Sequence, residues 1–189
     1  MPVEVASGKE DYSAGTFRPK ISRQLDRFLV KLRHRKLKIG SLDLRFDSLP
    51  LRNIDKVISN LDIDRNVGKV SYFTGGTSEA KRRLKVFLKG KLENYAEDSR
   101  DPNLDCISHM SPYLHFGQIS PLFVALEVLK TSSPGKDAYL EQLIVRRELS
   151  HNFVYYNSSY DSFKSLPPWA MRTLNSHRRD KKEYVYSLE

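Results

Sequence analysis

The sequence predicts a mainly α-helical protein interrupted by a long irregular connector. Three observations carry that expectation. Apolar residues recur every three or four positions through most of the chain, the spacing of one helix face. Two strong helix-start signals, Gly75-Gly76-Thr77-Ser78-Glu79 and Pro167-Pro168-Trp169, stand directly ahead of such stretches. Period-two alternation is confined to Leu42, Leu44 and Phe46. There a short strand and an irregular connector are both open, and the nearby Leu-Pro and Arg-Asn pairs argue for the connector.

In chain order, residues 1–16 are polar with small residues and read as a flexible lead-in. Phe17-Arg18-Pro19 opens a helical stretch over 20–35, with Ile21, Leu25, Phe28, Leu29 and Leu32 on one stripe. The basic run Arg33 to Lys38 reads as a solvated helix end, where cations suit the dipole. A short helix is expected over 51–60, with Ile54, Val57, Ile58 and Leu61 facing inward. From Gly75-Gly76, with a hydroxyl cap and a first-turn acid, a helix should run to Tyr95 or Glu97. Its apolar face is Ala80, Leu84, Phe87, Leu88, Leu92 and Tyr95, and lysines and arginines fill much of the remainder. A glycine pair before a helix suits phosphate, but the Gly-Lys-Ser/Thr of a phosphate loop is missing, so the pair reads as a cap.

Pro102 and Asn103 mark a loop. Gly117 and Pro121 bracket the next helix start, and Phe123, Val124, Leu126 and Leu129 carry that helix. After the Pro134-Gly135 turn a long helix is expected over 136–156, through Leu140, Leu143, Ile144, Leu149 and Phe153. The last helix opens at Pro167-Pro168-Trp169 and ends near Asp180, with Trp169 in the core. There is no internal repeat.

Composition bounds the function. At 189 residues and 39% hydrophobic content, the chain can bury a core. It carries 32 Lys plus Arg against 23 Asp plus Glu, a net charge of +9 that favours a polyanionic partner. The single cysteine, Cys106, forms no intramolecular disulfide, fits a reducing compartment and reads as a small buried or half-buried residue. No apolar run approaches the roughly 18 residues of a membrane span, and the N-terminus lacks the apolar core of a signal peptide. A soluble protein is expected, cytoplasmic, or nuclear in a eukaryote, with no metal site and no membrane partner.

Chemistry enters at Ser111. The string Ser111-Pro112-Tyr113-Leu114-His115-Phe116-Gly117-Gln118-Ile119-Ser120-Pro121 resembles the flavin-domain signature of photolyases and cryptochromes. Glu141-Gln142-Leu143-Ile144-Val145-Arg146-Arg147-Glu148-Leu149, followed by Asn152-Phe153 and Tyr155-Tyr156-Asn157, resembles the class II branch. Trp169-Ala170, Leu174, His177, Arg178, Asp180 and Tyr186-Ser187-Leu188-Glu189 extend the similarity, as do Thr16 to Ile21 and the Gly75-Gly76 helix start. The motifs are ordered and cover most of the chain, most thinly over 34–70.

The resemblance implies a helical FAD-binding domain of photolyase type, here incomplete. Residues 1–70 would be lead-in and interdomain-type linker, and 71–189 the first part of the FAD domain. In such enzymes light-excited reduced FAD donates an electron to a cyclobutane pyrimidine dimer flipped out of DNA, and the dimer splits. Relatives also carry an α/β domain ahead of this region and continue beyond it. DNA carrying pyrimidine dimers is therefore the implied partner, with a separate chain or missing segment completing the FAD pocket. This chain alone is expected to hold FAD weakly or not at all. Two alternatives are a non-catalytic DNA-binding module and a cryptochrome-like relative.

By the same resemblance, Tyr95 matches the tyrosine near the FAD phosphates, and Ser108, Met110 and Ser111 match the loop that cradles the pyrophosphate. Tyr139 and Gln142 match positions facing flavin and lesion. At the second of these the family typically has a glutamate, and Gln142 supplies neither a proton nor a negative charge. Glu141 beside it points about 100° away on a helix. Arg146 matches a residue lining the DNA-facing cavity and Arg147 a helix arginine of the domain; both are expected to bind DNA, with salt bridges to Glu141 or Glu148 as their ordinary alternative. Asn152 is assigned a structural role and His109 none.

Overall fold

The computed structural model describes residues 1–31, 33, 36–68 and 70–186. Every regular element among them is helical. The axis is the continuous helix over 136–156, which divides into α9 (Lys136–Leu140), a π turn (Glu141–Arg146) and α10 (Arg147–Tyr156). Helices laid against its two sides form two apolar clusters that meet at Ile144.

The larger cluster is built on α5 (Thr77–Gly90). Its start departs from the expected hydroxyl cap. Gly76 holds the N-cap with φ of 110°, a backbone shape that glycine adopts without a Cβ clash. The Gly76 N–H donates to Gln118 Oε1 at 2.8 Å, and the Thr77 hydroxyl donates to the Gln118 carbonyl at 2.8 Å. One distant glutamine thus anchors the helix start. The helix stops at Gly90, earlier than expected. A turn and the short α6 (Tyr95–Asp98) carry its apolar face onward through Leu92 and Tyr95. Ala80, Leu84, Phe87 and Leu92 are buried against Tyr113 of α7 (Ser111–His115) and Val124 and Val128 of α8 (Pro121–Leu129).

The expected flexible lead-in is instead anchored to the body of the protein through a few buried residues, Ala6, Ser7, Asp11 and Ala14. Helix α1 (Val3–Ala6) packs on α10. Helix α2 (Ala14–Ser22), started by Ser13 accepting from the Thr16 N–H at 3.3 Å, packs on the π turn. Phe17 and Ile21 are fully buried beside Val145. Asn152, also fully buried, accepts from the Asp11 N–H at 2.8 Å and donates to the Lys9 carbonyl at 3.0 Å. Lys20 reaches both Asp11 oxygens at 2.8 Å. Burial opposes ionisation of Asp11, but Lys20 and Ser7 outweigh it and hold the carboxyl below its ordinary value. The segment looked flexible because its anchors are small or polar residues, whose partners lie about 140 positions away.

No single helix covers 20–35. Pro19 already sits inside α2 and removes a backbone donor there. The helix ends at Ser22, and only the single turn α3 (Leu25–Phe28) follows. Leu32 of the expected stripe, and His34 and Arg35 of the basic run, lie outside the described residues.

In the connector, Leu42, Leu44 and Phe46 form no strand and are exposed. Helix α4 (Ile54–Ser59) forms within the expected span, with Asn53 Oδ1 accepting from the Lys56 N–H at 3.0 Å. Of its expected inward face only Val57 is half-buried, while Ile54, Ile58 and Leu61 are 62%, 43% and 41% exposed. The last helix, α11 (Pro168–Ser176), starts where expected, but Trp169 is 65% exposed and not in the core. Ser187, Leu188 and Glu189 of the final motif lie outside the described residues. No described helix is long and apolar enough to cross a membrane.

Candidate functional site

A cleft opens where α6, the loop before α7, and the helix over 136–156 converge. Gly135 at the start of that helix sets the approach. A Cβ there would lie 1.9 Å from the Leu92 carbonyl oxygen and 3.2 Å from Tyr95 Cβ, so only glycine admits this packing. The contact brings Tyr139 against Phe87 and Tyr95, with ring centroids 4.7 and 5.2 Å apart. Burial pushes the Tyr139 phenol up to about 12, and burial also raises that of Tyr95. Both hydroxyls therefore remain protonated donors at neutral pH.

The Tyr139 hydroxyl donates to Ser108 Oγ at 3.1 Å, and the Met110 N–H donates to the same oxygen at 3.3 Å. Ser108 then has its own proton left to donate outward. Between Ser108 and Met110 the backbone reverses through His109, whose φ of 54° is unusual for a residue with a side chain. His109 Nε2 lies 2.7 Å from Asp105, which also pairs with Lys91 at 2.6 Å. Lys91 first and His109 second hold the Asp105 carboxyl below its ordinary value. His109 thus braces the loop from behind, turned away from the cleft.

The cleft has a volume of about 240 Å³ and is lined by Tyr95, Ser108, Met110, Ser111, Leu114, Tyr139, Gln142, Leu143 and Arg147. Six residues matched to the cofactor and the helix arginine Arg147 are therefore gathered on one surface. Arg146 is not among the lining residues. It lies on the outer side of the π turn, 54% exposed and 3.6 Å from Glu141. Glu141 likewise faces out and is held by Arg18 of α2 at 2.8 and 3.0 Å. Arg147 Nη1 donates to Glu148 at 3.0 Å, and the side chain stands between this cleft and a second one, which Glu148 lines. Both ordinary alternatives for the arginines, pairing with Glu141 and with Glu148, are thus present.

The lining suits a molecule with both anionic and apolar parts. Ser108, Ser111 and Arg147 carry O–H and N–H groups from which an anion can accept, while Leu114, Leu143 and Tyr95 offer apolar surface. Three features escaped the sequence reading. Leu114 and Leu143 had no assigned place in the site, although both lie within quoted motifs. The Arg18 partner of Glu141 left no local signal, because 123 residues separate the two. Among the described residues no group of His, Cys, Asp and Glu is arranged to hold a metal ion.

No family model matches the chain. Individual proteins do. The chain is 50% identical over 189 residues to a deoxyribodipyrimidine photo-lyase of Methanothermobacter thermautotrophicus, covering 100% of this chain and 41% of the relative. It is 40% identical to that of Arabidopsis thaliana and 34% identical to that of Potorous tridactylus, again over 100% of this chain, and covers 40% and 36% of those proteins. Across archaeal, plant and marsupial relatives alike, the chain is homologous over its full length to the deoxyribodipyrimidine photo-lyases, of whose length it spans about two fifths.

Proposed function

We propose that this chain is part of a class II DNA photolyase and forms one wall of its FAD site, in an enzyme that splits pyrimidine dimers in DNA under light. The observation that carries the reading is the convergence of Tyr95, Ser108, Met110, Ser111, Tyr139, Gln142 and Arg147, from three separate stretches of chain, on one cleft. When bound, reduced FAD excited by light supplies the electron that splits the dimer. The protein's own residues bind and orient. The outward-donating Ser108 hydroxyl, the exposed Ser111 hydroxyl and the Arg147 guanidinium hold phosphate oxygens. Tyr139 fixes the Ser108 rotamer through its own hydroxyl. Gln142, whose side chain has no hydrogen-bond partner among the described residues, presents an amide that donates to a base carbonyl but transfers no proton. Arg146, on the outer face, reaches DNA phosphate.

A cleft of about 240 Å³ is small beside the roughly 300–1,000 Å³ of ligand sites. The reading therefore includes a second wall, from a further segment or a separate chain, and residues 1–70 serve as lead-in and linker to the FAD domain at 71–189. The test is co-expression of this chain with a polypeptide supplying the remaining length of its relatives. Flavin absorbance and light-dependent dimer splitting should appear in the pair, and this chain alone should carry little flavin. Stoichiometric flavin on the isolated chain would sink the one-wall reading, and a flavin-free pair would sink the FAD assignment.

One observation favours a second reading, a DNA-binding module without photochemistry. Gln142 puts no carboxylate in the cleft, and the structure turns the neighbouring Glu141 away to Arg18. Salt-sensitive DNA binding by the pair, with no splitting under light, would select it.

A further inference from the structure

The π turn separates the two arginines of the Arg146-Arg147 pair, and its geometry explains how. In an α-helix, residues five apart advance about 500°, which leaves them about 140° apart on the surface. The wider π turn, with its i to i+5 bonding, brings such residues onto one side. Here the Arg147 N–H donates to the Gln142 carbonyl, five residues back, and is shared with the Ile144 carbonyl. Two side-chain pairs share that spacing. Gln142 and Arg147 line the cleft together. On the opposite side Glu141 and Arg146 lie 3.6 Å apart. Arg18, from α2, grips both oxygens of Glu141 in a fork at 2.8 and 3.0 Å. Around this cluster the apolar face of α2, through Phe17 and Ile21, packs on Val145.

We infer that Arg18, Glu141 and Arg146 form an external brace that holds the π turn open and so positions Gln142 and Arg147 side by side in the cleft. Without the brace the segment has reason to relax. A π turn spends one residue on weaker bonding, and α9 and α10 join into a regular helix once it closes. Closing it rotates everything on one side of the turn by about one residue, about 100°. Tyr139 would keep its seat against Phe87, and Arg147 would leave the cleft edge. Glu141 is thus a positioning residue and not a stand-in for the missing cleft carboxylate. Its charge is used outside the site. Holding Glu141 ionised is consistent with this, since the Arg18 hydrogen bonds lower its carboxyl below the ordinary value.

The link to Gln142 and Arg147 as site residues rests on the reading of the cleft given above, but the state of the turn does not. The test reads the turn directly. In the isotope-labelled protein, scalar coupling across the hydrogen bond should connect the Arg147 amide nitrogen to the Gln142 carbonyl carbon. In Arg18→Ala and in Glu141→Gln that coupling should vanish or move to Leu143, and Arg147 amide exchange should quicken by about tenfold or more. The charge-swapped set Arg18→Glu, Glu141→Arg and Arg146→Glu should restore it. Glu141→Gln keeps the side chain's size and serves if the alanine variant fails to fold. Unchanged coupling and exchange in a folded single variant would overturn the brace, leaving core packing alone to set the turn. In the flavin-holding pair, loss of the turn with undiminished flavin affinity would overturn the positioning link. If no pair holds flavin, the FAD reading fails while the coupling data still decide the brace.

Discussion

Helices α4 and α5 make an instructive pair. Each has the same local grammar: a residue suited to the N-cap, an acid in the first turn and apolar residues at helical spacing. In α5 those apolar residues are almost wholly buried, with Leu84 2% and Phe87 1% exposed. In α4 they are exposed apart from the half-buried Val57. The difference lies in what surrounds them. The α5 face meets α7, α8 and α9, which follow within the next 60 residues and return onto it. The α4 residues belong to neither apolar cluster. Periodicity identifies a helix with a face, and only a partner makes the face a core.

The comparison is broken most sharply at Phe87. Phe87→Ala should cost about 3–5 kcal/mol, visible as a lower urea midpoint, and should loosen the Tyr95 and Tyr139 rings packed on it. A cost below about 1 kcal/mol would mean that the α5 face is no better used than that of α4. Gly135→Ala follows. Its Cβ would meet the Leu92 carbonyl, a backbone atom with little room to move. A loss of about 1–3 kcal/mol is expected from overpacking, together with a change in the near-ultraviolet signal of Tyr95 and Tyr139.

Asn152→Ala probes the N-terminal segment, which sequence placed with the connector and the structure packs on α10. Removing the amide strands the Asp11 N–H and the Lys9 carbonyl, at about 1–3 kcal/mol. Proteolysis should then cut within residues 1–13 well before it cuts α5. If the variant resists as the parent does, the segment is held by α2 alone.

The Arg18–Glu141 contact responds to pH. Glu141 faces Arg18 from α2 and Arg146 from its own helix, and its folded carboxyl lies below the ordinary value of 4.5. Its contribution is therefore fully present above about that value and lost as pH falls through the lower folded one. Acid titration followed by the Glu141 side-chain carbonyl resonance should show a midpoint below 4.5 in the parent and nearer the ordinary value in Arg18→Ala. The smallest effect is expected at α4, where Ile58→Ser should change stability by within about 0.5 kcal/mol. A larger loss would show that the connector helix has a packing partner after all.

Much of the fold was legible in the sequence for a physical reason. Helix propensity, capping and apolar spacing act within a few residues, so the span 136–156 and the starts at Gly76, Pro121 and Pro168 could be read directly. The candidate cleft was legible only through similarity to a known family, since no local pattern connects Tyr95 with Ser108 or Tyr139. What failed to show were consequences of distant contacts. The start of α2 at Ser13 and Ala14 has no apolar run to mark it, and the burial of Ala14 comes from its packing in the cluster with Val145.

By itself, then, the sequence determined the helical character of this protein, most helix starts and the identity of the residues available for chemistry. Which way they face is set by long-range packing. Adjacent Glu141 and Gln142, and adjacent Arg146 and Arg147, are chemically similar choices until α2 arrives. Arg18 then binds one carboxylate at hydrogen-bond distance. A charge pair formed across 123 residues of chain leaves no trace in local spacing, yet it stands beside the turn that sorts inner from outer.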